Sequence, residues 1–410
     1  MSHNEAWQLA EHFFRHHYAK MVAILAHYFG LREVEIAEDI AQETLIEAMD
    51  SWSAGSIPEN PEAWLMDVAK KKTINLLRRN QTFTTKVQPT LEQNLIGESA
   101  ELEKTDSTLR MIFACCHPAL PMESQISLAL KTLCGLNVPE IANALLTSES
   151  NINKRLYRAK QKFRDGTIDL SLPNPKGLPE RLSGVFTTLY LLFNEGYYSS
   201  HHEKVIRMDL CFDAIRLLEE VADFYPASMN AKALLALMFF SISRFESRID
   251  EQGALVILTE QDRTKWDQEF IAKGVSLLHA ATQSEHASIY HLQAGISAEH
   301  CLAKDFVSTN WESIYHQYTL LEQLQANLHV RFNKTIAKFY GHNREEALAD
   351  LLALTQEKEL QSSSQFYATL GTFYLELGLA SEALPHFQQA LKLSKSSKEK
   401  ALILQKIANS

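Results

Sequence analysis

The stretch VPEIANALLTSESNINKRLYRAKQKFR, residues 138–164, decides the reading of this chain. It predicts two helices joined by a short turn. The first carries Ile141, Ala142 and Leu145 on one side. Leu146, Thr147 and Ser148 form the turn, and Ser148 is a good N-cap because its hydroxyl can accept from an orphan backbone N–H. In the second helix Ile152, Leu156, Ala159 and Phe163 fall on one buried stripe. Asn151, Lys154, Arg155, Arg158 and Lys162 share another face. Residues 149–164 hold six Lys/Arg in a chain of net charge −10, so the basic face is a local exception. A helix-turn-helix whose second helix presents amides and guanidinium groups suits the major groove of DNA. The plain alternative is a solvated basic helix on an ordinary bundle.

Working outward, 410 residues predict two or three domains. An apolar content of 46% is ample for packed cores. Gly and Pro number only 14 and 11, and helical spacing dominates over alternation, which predicts an all-α protein. The acidic total argues against non-specific coating of nucleic acid but leaves room for one DNA-reading face. The N-terminus is polar and His-rich, without the pattern of a signal peptide. No run of about 18 apolar residues exists, so no membrane span is expected. Five scattered cysteines without a CxxC pair fit a reducing cytoplasm. Cys115-Cys116-His117 makes a poor tetrahedral metal site and reads better as small buried thiols before Pro118.

Upstream, residues 5–30 read as a helix stopped by Gly30, and a second runs from about Val34 to Trp52. On the second, Asp39, Gln42 and Glu43 lie at i, i+3, i+4 and share a polar face. SAGSIPENP breaks the chain, and Asn60-Pro61 caps and opens a third helix. Trp64, Lys71, Asn75 and Arg78 align along that helix, with Arg79 beside them. An aromatic ring, an amide and cations on one face suit a nucleic acid with partly unstacked bases. A core Trp beside a solvated basic helix end explains the same pattern. Residues 81–105 read as a linker, 107–116 as a helix, and PMESQISLALKTLCG as another stopped by Gly135.

After Arg164 the run LSLPNPKGLP marks a boundary, and a succession of helices follows to Ser410. Residues 241–268 interrupt it with a stretch that predicts a short hairpin or an ordered loop. Near the C-terminus Tyr367, Leu370, Gly371, Tyr374, Ala383, Phe387 and Ala390 occupy the spacing of the 34-residue tetratricopeptide pattern, although Lys395 stands where its late Pro belongs. Ala347 and Leu351 match the second helix of a similar unit. Such stacks bind peptides or helices on a concave face; a plain bundle is the other reading.

AEDIAQETL (37–45), PEAWLMDVAKKKTINLLRR (61–79) and residues 138–164, in this order, resemble the bacterial extracytoplasmic-function sigma factors of RNA polymerase. ESQISLAL, FACCHPAL, LYLLFNEGYYSS and EQDRTKWD extend the likeness to the subgroup with a long helical C-terminal extension. The resemblance implies a sigma-2-like domain over 1–80, a linker over 81–106, a sigma-4-like helix-turn-helix domain over 107–170 and a tetratricopeptide-like extension over 178–410. It implies that Asp39, Gln42 and Glu43 grip core RNA polymerase. It places Trp64, Lys71, Asn75, Arg78 and Arg79 at the −10 element, and Asn151, Asn153, Lys154, Arg155 and Arg158 at the −35 element of promoter DNA. The extension is then a built-in domain that regulates activity or is required for it, with a peptide or protein partner on its repeat-like face. No enzymatic activity, cofactor or metal is expected: no phosphate-cradling loop or nucleophile motif occurs, and His16-His17 and His201-His202 lack the i, i+4 spacing of a helical zinc site. The competing expectation is a helix-turn-helix regulator with a tetratricopeptide sensor that never joins the polymerase.

Overall fold

The computed structural model describes residues 18, 21–26, 34–53, 57–79, 102–145, 147–168, 173, 177–198, 206–250, 256–283, 286–394 and 397–408; the side chains of 53, 77–79, 102–108 and 397–398 are outside the description. Gly30, both His pairs and residues 81–101 of the expected linker lie outside it as well. The described elements are helices, with no strand among them. The chain forms two compact units, 1–226 and 227–410.

The first unit contains α1 (Val34–Ser53), α2 (Pro61–Arg79), α3 (Leu102–Cys115), α4 (Met122–Thr132), α5 (Val138–Ala144), α6 (Glu149–Arg164), α7 (Leu178–Tyr197) and α8 (Met208–Phe224). Asn60 caps α2 by accepting from the Ala63 N–H at 3.0 Å. Gly135, at φ 63°, turns the chain after α4 in a conformation that a side chain would strain. α3 begins at Leu102, so the expected linker is helical in its last residues. The larger departure lies at α7 and α8. Sequence reading assigns them to the extension, yet they pack with the first unit: α7 lies on α3 and α4, and α8 touches α3. Gly184 of α7 sits where a Cβ would meet Gln125 Oε1 at 2.3 Å and Cys116 Cβ at 3.3 Å.

The second unit holds α9 (Met229–Ile242), α10 (Gln268–Ala281), α11 (Ile289–Leu302), α12 (Trp311–Leu324), α13 (Leu328–Gly341), α14 (Arg344–Ala353), α15 (Ser364–Glu376), α16 (Ala380–Leu393) and α17 (Ser397–Ala408). From α11 onward they stack mainly on chain neighbours. At α15 and α16, Gly371 lets the ring of Phe387 approach to where a Cβ would stand 2.7 Å away. Ala383, Phe387 and Ala390 are buried beside it. Between α9 and α10 the chain makes short helical turns at Phe245–Arg248, Leu258–Glu260 and Arg263–Lys265. The described part of this stretch is ordered, and the Val256 N–H donates to the Arg248 carbonyl at 2.8 Å; residues 251–255, where a hairpin would turn, lie outside the described residues. Arg263 fixes it by donating to the backbone carbonyls of His300 and Ala303, both at 2.7 Å, at the end of α11.

Candidate nucleic-acid interface

The helix-turn-helix forms for local reasons. Asn137 accepts from the Glu140 N–H at 2.9 Å while the Glu140 carboxylate accepts from the Asn137 N–H at 2.7 Å, a reciprocal capping box that starts α5 behind Pro139. Ser148 accepts from the Asn151 N–H at 3.3 Å and starts α6. Ile152, Leu156, Ala159 and Phe163 are the buried stripe of α6, packed on α4 and α5.

Asn151, Asn153, Lys154 and Arg158 are exposed on α6, and Arg155 is half-buried. Taking 100° per residue, the side opposite the buried stripe is centred on Ser150, Lys154, Tyr157, Arg158 and Gln161. Asn151 and Arg155 lie to one flank and Asn153 to the other. Ser150, Asn153, Lys154, Tyr157 and Arg158 line one shallow depression. Tyr157, 62% exposed, is the residue that sequence reading passed over. Its hydroxyl accepts from Gln161 Nε2 at 3.1 Å. A large ring left in water at the middle of a basic face was the signal.

On α2, Lys71 and Asn75 are exposed. Trp64 is half-buried and packs on Trp52 of α1, with ring centroids 5.8 Å apart. It braces the pair of helices and keeps one edge accessible. Arg78 and Arg79 end the helix backbone, and their side chains lie outside the described residues. Asp39, Gln42 and Glu43 are all exposed on α1. Lys72 of α2 stands 3.0 Å from Glu47 and 3.6 Å from Glu43, so one member of the acidic face is already balanced by a cation.

The neighbouring flank of α1 is occupied: Glu38 and Glu35 stand one helical turn before Gln42 and Asp39. Glu38 is buried; it accepts from Lys160 Nζ at 2.7 Å and from Thr132 Oγ1 at 3.0 Å. Glu35 pairs with Arg164 and lies 3.8 Å from Lys160. Two carboxylates of α1 thereby hold two cations of α6. A buried charge is costly unless paired and hydrogen-bonded, and Glu38 meets both conditions. Cys115, Cys116 and Cys134 are all buried. Burial pushes the Cys116 thiol up to about 12 and raises the other two well above the ordinary thiol range, which makes them packing groups. His117 accepts from the Ala119 N–H at 3.1 Å through Nδ1, a turn contact. Among the described residues no His/Cys/Asp/Glu group is placed to hold a metal ion, and no helix is long and apolar enough to cross a membrane.

Comparisons with known proteins match three stretches of the chain, the third of which runs from α7 across the boundary between the two units. Residues 13–83 match the model for Sigma-70 region 2, residues 110–163 that for Sigma-70 region 4, and residues 181–282 that of a family of unknown function, DUF6596. An uncharacterized protein of Rhizobium meliloti is 33% identical over 386 residues, covering 92% of this chain and 90% of that protein. The ECF RNA polymerase sigma factor SigX of Bacillus subtilis is 20% identical over 176 residues, 38% of this chain and 89% of that protein. No solved structure matches the chain. With both sigma regions in order and a relative aligned over nearly its full length, the chain belongs to the extracytoplasmic-function sigma factors of RNA polymerase, in a form that carries a C-terminal helical extension.

Proposed function

We propose that this sigma factor acts through three surfaces, with the carboxylate face of α1 as its grip on core polymerase. Asp39, Gln42 and Glu43 stand exposed at helical spacing and suit a basic coiled-coil partner in the largest polymerase subunit. Lys71, Asn75, Arg78 and Arg79 of α2 engage the −10 element and help to open it, with Trp64 bracing the helix from behind. Asn151, Asn153, Lys154, Arg155 and Arg158 of α6, joined by Tyr157, face the −35 element. The protein is a specificity subunit of the cytoplasmic polymerase and performs no chemistry of its own.

The second unit is a regulatory and interaction module. Its chain-ordered stack of helices, with small residues at the closest approach of α15 and α16, supports a tetratricopeptide-like reading and a peptide or protein partner. The observation that carries the whole reading is the capped helix-turn-helix whose recognition face is exposed and cationic while its apolar stripe is sealed. The test is to mix the full chain with core RNA polymerase and run off transcripts from genomic fragments. A stable complex that selects a defined promoter set is expected. Glu43→Lys should release polymerase with the fold intact. DNA binding without polymerase binding would instead mark a helix-turn-helix regulator with a sensor domain.

A further inference from the structure

The start of α8 reaches the capping box of α5 through a charged side chain. Arg207 stands at the start of α8, 3% exposed, and donates from a terminal guanidinium nitrogen to Glu140 Oε1 at 2.6 Å. Glu140 is the capping-box residue of α5, and its other oxygen accepts from the Asn137 N–H. One carboxylate therefore both closes the first turn of α5 and receives the arginine. The Glu140 side chain is 16% exposed, so this is a largely desolvated pair and not a surface bridge.

Arg207 is itself mounted rigidly. Its N–H donates to the Gly196 carbonyl at 2.7 Å. At Gly196 a Cβ would come within 2.7 Å of Cys211 Sγ, 2.8 Å of the Arg207 carbonyl and 2.9 Å of the Cys211 nitrogen. Glycine there lets the end of α7 and the start of α8 meet at backbone distance. This accounts for the glycine at position 196 within LYLLFNEGYYSS. From Gly196 the contact runs through Arg207 to Glu140, then through α5 to the buried stripe of α6.

We propose that Arg207 is a positioning residue for −35 recognition, and that α7 and α8 complete the promoter-reading domain. The proposal rests on α6 reading the −35 element. α5 has only seven residues, too few to hold its place by its own hydrogen bonds. Its start depends on the capping box and on the cation that faces it. Without that cation, α5 can shift against α6 and spoil the register of the base-reading side chains with the core still packed.

The experiment uses full-length Arg207→Met and Glu140→Gln proteins with core polymerase. Two templates are transcribed, one with the −35 element intact and one with it randomised, and thermal unfolding is followed in parallel. Gln at this position still serves a capping box, so Glu140→Gln removes the ion pair while the helix start survives. Both variants should lose about tenfold in the intact-to-randomised ratio, about 1.4 kcal/mol of discrimination. Melting should remain one cooperative transition, and the double variant should lose no more of the ratio than either single one. An unchanged ratio in both variants overturns the proposal. So does a fall of equal proportion on both templates, which marks a purely structural role. If the parent protein ignores the −35 element, or Lys154→Ala leaves the ratio untouched, the assignment of α6 fails, and that result is distinct from the failure of Arg207.

Discussion

Around α6 the cations do not stand equally. Lys154 and Arg158 project from the centre of the exposed side, next to Tyr157, while Arg155 is half-buried on its flank. A guanidinium free to meet a base edge in bidentate geometry contributes roughly 1–3 kcal/mol of discrimination. Arg158→Ala should therefore cost about that much in promoter selectivity, and Arg155→Ala clearly less; equal losses in a competition binding assay would refute this ranking. In the second unit a different residue makes a pH prediction. His300 packs edge-on to Trp311, its Nδ1 has no partner among the described residues, and burial with Arg244 and Arg263 nearby lowers its pKa to about 3. The folded state thus binds its proton less readily than the unfolded one. Stability is complete above the ordinary histidine value and declines as the pH falls below it. At pH 5 the loss is about 2 kcal/mol. His300→Phe should flatten this part of the stability profile in denaturant melts at pH 5 and 7.5. An equally steep decline in the variant would assign the sensitivity to other groups.

Local signals decide what can be read at the level of elements. Asn60, Ser148 and Gly135 are legible because a cap or a left-handed turn needs only neighbours in sequence. The stripe Ile152-Leu156-Ala159-Phe163 is legible because one face must be buried whatever covers it. What covers a face is not local, and so the assignment of α7 and α8 differs. LSLPNPKGLP breaks the helix pattern, but a chain break is not a packing break: α7 returns to α3 and α4, where Gly184 meets Gln125 and Cys116. Truncation after Arg164 consequently tests folding before it tests regulation. It would bare the surfaces under α7 and α8, where Phe113 and Cys116 are buried and Phe113 packs on Phe224 at 5.7 Å. Each large apolar side chain uncovered costs about 1.5–3 kcal/mol, against a total domain stability of about 5–15 kcal/mol. A chain ending at Arg164 should lose the cooperative unfolding transition of its helix-turn-helix, whereas one ending at Pro226 should keep it. A native-like melt for the shorter chain would show that α7 and α8 are dispensable for the fold.

For the molecule as a working sigma factor, the contact between α1 and α6 sets the main constraint. The two promoter elements lie about 25 base pairs apart, roughly 85 Å of duplex at 3.4 Å per step. α1 and α6, of 20 and 16 residues, are about 30 and 24 Å long. While Glu35 and Glu38 hold Arg164 and Lys160, α6 stays against α1, on which α2 packs, too close for the proposed −10 face of α2 and −35 face of α6 to meet both elements at once. Promoter engagement therefore requires the pair to open, and Glu38 is the sensitive point because it is the buried carboxylate. Exposed pairs respond to salt, but one this enclosed is poorly screened, so substitution is the better lever. Glu38→Gln keeps an acceptor for Thr132, removes the charge facing Lys160, and should shift the equilibrium toward the open form. Dyes on cysteines placed at the exposed positions Ala63 and Ser150, with Cys301→Ser, would report it, since Cys115, Cys116, Cys134 and Cys211 are buried. Energy transfer should fall in Glu38→Gln without polymerase, and fall in the parent protein only on joining core polymerase. Equal transfer in both proteins before and after polymerase binding would mean that the closed arrangement imposes no barrier.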